Sequence, residues 1–240
     1  MTAMNLIVQP KARAVYLLTD TAVIRKRDGA LVDFIAKVVP VRAAGQVVAA
    51  IAVSGRLEVE FLKAEMAKVG PSSVQDFLDR FPDVFRRTEA AIMAKAEGGS
   101  MAAVVAAFDH SRSLPLGFGI ANDNSLFAPS HRPYELKRLA QHITEFSPEN
   151  VQLRQTDFRD PAVWSPERDG LALIEAQRLD LGFAGERYSI GGKAVLTRLD
   201  ASGITSKVLK EWPDRIGRPI DPHNRAQATG WHAIWERIIR

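Results

Sequence analysis

LLTDTAVIRKRDGALVDFIAKVVPV, residues 17–41, is the stretch whose reading decides the fold. It sets one carboxylate, Asp20, and one amine, Lys37, in apolar strand-like sequence on either side of a hairpin signal, Asp28-Gly29. Both turn positions of a tight hairpin need positive φ, which Asp and Gly tolerate. A bare charge inside a sheet costs several kcal/mol unless it is paired. Two readings of Asp20 and Lys37 follow. Either both face water, with Thr19 and Thr21 flanking an edge-strand carboxylate and Lys37 blunting an edge, or the two ions meet.

Working outward, residues 5–9 and 14–24 read as strands joined by the short link PKAR, and residues 30–41 and 46–53 as two more. After Ser54-Gly55 the period changes. Val59, Leu62, Met66 and Val69 fall at helical spacing, and Gly70-Pro71 stops that helix. Ser72 or Ser73 caps a second helical segment carrying Phe77, Phe81 and Phe85, which Pro82 is expected to kink or split. Strands return at 101–109 and 114–121, where Gly117 and Gly119 read as strand glycines at a close approach. Residues 136–146 lean to strand and 147–168 read as an irregular, proline-bearing excursion. A helix over 169–179 and two strands about a turn at 200–203 follow. Paired helices between antiparallel strand runs argue against a doubly wound sheet and for stacked antiparallel sheets with helices outside.

The totals exclude several functions. With 240 residues, 46% apolar and 25% charged, the chain has the composition of an ordinary globular domain. Its longest apolar runs, such as VVAAIAV, are too short to span a bilayer. The start MTAMNLIVQP lacks the pattern of a secretory signal. Cysteine is absent, which excludes thiolate chemistry and is compatible with a cytoplasmic location. The net charge of +4 comes without a dense basic block, so no nucleic-acid partner is expected. The five histidines show no ligand spacing, so neither a metal nor a cofactor is expected.

The ordered run AVYLLTD, DG, FIAKVVPV, GQVVAAIAVSG and a helix resembles the front half of proteasome β-type and HslV-like subunits of the N-terminal-nucleophile hydrolase superfamily. DGLALIEAQRL followed by YSIGGKAVLTRLDASGI resembles the back half. The resemblance covers roughly residues 2–210 and implies an α+β fold, a four-layer αββα sandwich of two antiparallel sheets with outer helices. It implies one such domain over 1–210, with 211–240 a C-terminal extension ending in an amphipathic helix striped by Trp231, Ile234, Trp235 and Ile238. That helix folds onto its own core or docks on another subunit.

The chemistry implied is amide hydrolysis by an N-terminal threonine whose α-amino group acts as base, with a lysine tuning the amine and an aspartate holding the lysine. On this chain the roles fall on Thr2, Lys37 and Asp20 once Met1 is removed. Counting back without a gap, the nucleophile position falls on Met4, so a longer link at 10–13 is needed to restore Thr2. A backbone N–H near the end of strand 46–53 would be the oxyanion donor; ungapped counting gives Ala50 where the family has glycine. The implied partners are a peptide or amide substrate and copies of the same chain in a ring or stacked ring; an unfoldase partner stays open. Two other readings stay open: an inactive assembly subunit on the same fold, and a small-molecule amidase of the same superfamily.

Overall fold

The computed structural model describes residues 2–25, 27–54, 56–95, 100–123, 132–144, 156–181 and 187–223. Two five-stranded antiparallel sheets lie face to face. The first takes β1 (Met4–Gln9), β2 (Ala14–Asp20), β10 (Gln141–His142), β11 (Lys193–Asp200) and β12 (Gly203–Glu211), in the order β10-β1-β2-β11-β12. The second runs β5 (Val38–Ala43), β6 (Gln46–Val53), β7 (Ala102–Asp109), β8 (Leu114–Ala121) and β9 (Lys137–Arg138). Helices α1 (Arg56–Ala67) and α2 (Val74–Met93) cover the second sheet, and α3 (Pro166–Arg178) covers the first. This is the αββα sandwich.

Each boundary between layers has its own apolar cluster. Between the sheets, Leu6, Val8 and Leu17 meet Ala50, Ala52, Val104 and Ala106. Large side chains on one sheet face small ones on the other, which brings the sheets close. Gly117 on β8 marks that approach, since a Cβ there would stand 2.6 Å from Leu6 Cδ2 and 2.7 Å from the Leu139 carbonyl oxygen. Strands β6 and β7 are covered on both faces, which is why they read as continuous apolar runs rather than alternating ones. On the outer face Phe77, Phe81 and Phe85, one helical turn apart, pack in tilted and edge-to-face contacts with ring centroids 5.3 and 6.3 Å apart. On the opposite side Phe158, Trp164, Leu173 and Ile174 close the α3 layer.

Several expectations are corrected. The strands read as 14–24 and 30–41 are each broken: Thr21 separates β2 from β3 (Ala22–Ile24), and residues 35–37 separate β4 (Leu31–Phe34) from β5. Strands β3 and β4 form a separate two-stranded hairpin about Gly29, which has φ of 70°. Asp20 therefore ends a strand of the first sheet, whereas Lys37 lies in the break just before the first strand of the second, so the two do not sit on neighbouring strands. Pro82 does not split α2, which runs continuously from the Ser73 cap to Met93. The 136–146 segment supplies two two-residue strands, β9 and β10, one to each sheet. Helix α3 starts earlier than read. Ser165 caps it and Pro166 takes its first position, where a missing N–H costs nothing.

Residues 212–223 pack back onto the domain. Trp212 donates its N–H to the Gly192 carbonyl at 2.8 Å, Gly217 and Arg218 bond to Leu31, and Ile220 is buried against Ala22 and Leu31. The expected amphipathic stripe from Trp231 to Ile238 lies outside the described residues. Among the described residues no helix is long and apolar enough to cross a membrane.

Candidate functional site

Strand register builds the site. Strands β1 and β2 pair with Met4 opposite Thr19, so one step further Ala3 comes opposite Asp20. The Ala3 N–H donates to Asp20 Oδ1 at 3.2 Å. The link at 10–13 turns the chain with Arg13 at φ 49°, and this turn fixes the register. Met4 is thereby buried in the inter-sheet cluster, and Thr2 lies one residue beyond the end of β2.

Asp20 is the last residue of β2, where the chain leaves the first sheet. Its carboxylate is wholly buried and fully occupied. Oδ1 accepts from Ala3 N and from Lys37 Nζ at 2.7 Å; Oδ2 accepts from Ala22 N at 3.1 Å and from Gly191 N at 3.2 Å. A carboxylate offers about four acceptor positions, and here four donors converge on them. Lys37 stands just before β5, its carbonyl accepting from Val53 N at 3.2 Å at the end of β6. Neither charged side chain has any solvent exposure. Burial pushes the Lys37 ammonium below its ordinary value of 10.5, opposed by the charge and hydrogen bond of Asp20 and by the charge of Glu58 on α1.

Lys37 Nζ also donates to Thr2 Oγ1 at 3.1 Å, and the Thr2 hydroxyl donates to the Ser54 carbonyl at 3.1 Å. Thr2, Asp20 and Lys37 are thus brought together at the seam where the start of β1 meets the end of β6. Ala50 is not. It is fully buried in mid-strand, opposite Pro40 on β5 and Ala106 on β7. The Val53–Lys37 bond sets the alternation of the ladder, so the Ala50 N–H points to β7 and is committed there. At about 3.3 Å per residue it is also about 13 Å along the strand from Ser54. Sequence reasoning missed Ser54. Its signal was present as the Ser54-Gly55 step that ends β6.

Three further groups support the cluster. Thr144 Oγ1 accepts from Met4 N at 2.9 Å and lies 3.5 Å from the Thr2 carbonyl. Asn5 and Gln177, both buried, exchange amide hydrogen bonds of 2.9 and 2.8 Å. Gln177 also donates to the Thr144 carbonyl at 2.7 Å. No residue pattern announces this pairing, because 172 positions separate its members.

A cleft of about 520 Å³ opens between the sheets beside Lys37, bordered by Thr19, Thr21, Phe34, Val195 and Thr197. A larger one of about 850 Å³ lies on the outer face near Ser72, Ser73, His110 and Arg112, and shares no residue with the cluster. Among the described residues no group of three His, Cys, Asp or Glu is placed to hold a metal ion.

No protein-family model matches the chain, and no curated protein does at the level of sequence. Solved structures do match. An Anbu (Gly-1) mutant from Hyphomicrobium sp. strain MC1 superposes with a TM-score of 0.57 over 99% of this chain and 97% of its own, at 11% identity. The helical assembly of the Anbu complex from Pseudomonas aeruginosa gives 0.57 over 100% and 95%, at 14% identity. At these identities the likeness is one of fold, over nearly the whole of both chains.

Proposed function

We propose that this chain is a proteasome-like subunit that hydrolyses amide bonds through Thr2, after the Met1–Thr2 peptide bond has been cut. The observation that carries the reading is the Thr2 hydroxyl, 3.1 Å from both Lys37 Nζ and the Ser54 carbonyl, above a buried Lys37–Asp20 couple. Once Thr2 carries a free α-amino group, that amine sits near a buried cation. A like charge lowers its pKa from about 7.7–8.0 and leaves more of it neutral. The neutral amine takes the hydroxyl proton as Thr2 Oγ1 attacks the substrate carbonyl. The C–N bond then breaks, the amine product leaves with the proton, and water hydrolyses the acyl ester on Thr2. Asp20 keeps Lys37 in place through its 2.7 Å bond. A backbone N–H near the end of β6 donates to the oxyanion.

Assembly into a multi-subunit complex is part of the proposal, supported by the fold shared with Anbu, which from Pseudomonas aeruginosa forms a helical assembly. The test is intact-mass spectrometry of protein from its native host, followed by incubation with a peptide epoxyketone. A chain lacking Met1 that gains one inhibitor mass, with no gain in Thr2→Ala, is the expected result. Retained Met1 and no adduct would overturn the hydrolase and leave the inactive assembly subunit. A mature chain inert to peptides but releasing amine from small amides would move the substrate to the small-molecule class.

A further inference from the structure

A second buried ion pair lies behind the first, and the proposed chemistry makes no use of it. Arg178, in the last turn of α3, and Asp214, just beyond β12, are almost fully buried. Arg178 Nη1 and Nη2 donate to the two Asp214 oxygens at 2.8 and 2.7 Å, the parallel fork geometry that fixes orientation as well as distance. The guanidinium stacks on Trp212, 4.6 Å from the ring centroid. A buried pair of this kind is on average no better for stability than well-packed hydrocarbon. Its retention calls for another explanation.

Its remaining bonds supply one. Arg178 Nη1 donates to the Ile190 carbonyl at 2.7 Å, and Asp214 Oδ2 accepts from Gly192 N at 2.8 Å. The pair therefore clamps both neighbours of Gly191. Gly191 itself faces the other way: its N–H donates to Asp20 Oδ2 at 3.2 Å, and its carbonyl accepts from Thr21 N and Ala22 N, both at 3.2 Å. There is no slack in the turn. A Cβ on Gly191 would fall 2.5 Å from Asp214 Oδ2, and one on Gly192 would fall 2.4 Å from Thr21 Oγ1.

We propose that Arg178 and Asp214 are positioning residues for the Asp20–Lys37 couple, acting through the 190–192 turn that lies between the two ion pairs. If the clamp slackens, Gly191 withdraws its N–H, Asp20 shifts off Lys37, and the buried amine keeps its desolvation penalty with less countercharge. The two charges that bear on Lys37, Asp20 on β2 and Glu58 on α1, are unchanged by a substitution that preserves charge at 178. The inference deepens the proposed function, because it concerns the same site, but its readout does not require activity.

The experiment follows the titration of the Lys37 amine by NMR in protein with isotopically labelled lysine, its signal assigned with Lys37→Arg. Arg178→Lys keeps the charge and loses the fork; Asp214→Glu keeps the charge and displaces it, and asks the same question should the first variant fail to fold. Both are expected to lower the Lys37 midpoint by about half a unit or more, roughly a threefold rise in neutral amine at a given pH. Thr88→Val, which removes a buried hydroxyl of α2 far from the turn, should lower stability without moving that midpoint. Folded Arg178→Lys or Asp214→Glu protein with a Lys37 midpoint equal to the parent's would overturn the proposal. Failure of Thr2 labelling in the parent would sink the hydrolase reading and leave this result standing.

Discussion

The Thr2 hydroxyl donates to the backbone oxygen of Ser54 across 3.1 Å, although 52 residues separate them. That bond joins the start of the first sheet to the end of a central strand in the second, so the candidate site sits on the line where the two sheets meet. The same oxygen of Thr2 accepts from Lys37. A hydroxyl with both a donor and an acceptor partner is worth about 1 kcal/mol net. Thr2→Val is expected to lose that amount in urea denaturation, and Thr2→Ser to keep most of it. A Thr2→Val protein as stable as the parent would show that the two bonds contribute nothing to the fold.

The Asp20–Lys37 pair predicts strong non-additivity. Lys37→Met leaves a buried carboxylate without its cation, and Asp20→Leu leaves a buried ammonium without its anion. Each should cost about 3–5 kcal/mol, because an uncompensated charge remains. The double variant should cost less than the sum of the two, by roughly 2 kcal/mol or more. Simple additivity in the denaturation cycle would mean the ions do not interact, and the positioning assigned to Asp20 would fail with it.

Much of this was legible before any coordinates. The isolated charges in apolar sequence left open whether Asp20 and Lys37 face water or meet, and the family resemblance implied the contact, while the Asp28-Gly29 step pointed to the β3–β4 hairpin. The changes of sheet at Thr21 and at residues 35–37 were not legible. Ala22, Val23 and Ile24 suit a strand whichever sheet they join, so the pattern runs on while the chain departs. The early start of α3 was hidden because Pro166 signals a break inside a helix and a favourable first residue at its beginning. Ala50 was reached by counting positions, which ignores the turn at 10–13; the structure places it in mid-strand, and the bond between Thr2 and Ser54 follows from register alone. The Arg178–Asp214 pair spans 36 residues and has no local signature at all.

Two glycines should resist substitution for different reasons. Gly192 has φ of +74°, and a methyl there would also overlap Thr21 Oγ1 and the Phe34 ring at 2.4 and 2.5 Å. Gly203 has φ of +111° with nothing within 4 Å. Gly203→Ala therefore carries backbone strain alone, about 1–3 kcal/mol. Gly192→Ala adds an overlap of about 1–3 kcal/mol more. Equal melting temperatures for the two variants would show that the 190–192 turn moves freely.

His142 on β10 predicts acid sensitivity. Burial lowers its pKa from 6.5 to about 4. Between those values the unfolded chain binds more protons than the folded one, so stability rises with pH across that window and is level above it. Below about pH 4 the loss from this group is at most about 3 kcal/mol. Urea midpoints measured from pH 4 to 7 should show the slope, and His142→Gln should flatten it. An unchanged slope in that variant would assign the acid sensitivity elsewhere.

The Asn5–Gln177 amide pair makes the last prediction, and it concerns the nucleophile's backbone. Gln177 donates both to Asn5 Oδ1 and to the Thr144 carbonyl, while Thr144 N donates back to Asn5 Oδ1 at 2.9 Å. Thr144 in turn accepts from Met4 N, two residues from Thr2. Gln177→Leu removes one amide, leaves Asn5 only its bonds to Thr144 N and the Leu18 carbonyl, and takes one anchor from the Thr144 segment, at about 1–3 kcal/mol. Replacing both amides by leucine removes the bonds they share only once, so the double variant should be less destabilised than the sum of its parts, although the Thr144 N–H and carbonyl lose their partners too. Amide hydrogen exchange at Met4 separates stability from position. It should speed up in Gln177→Leu beyond what the loss of global stability explains, because the residue that holds this N–H has lost one of its two anchors. Exchange that tracks global stability alone would mean that β1 is held at its start by sheet pairing and owes nothing to α3.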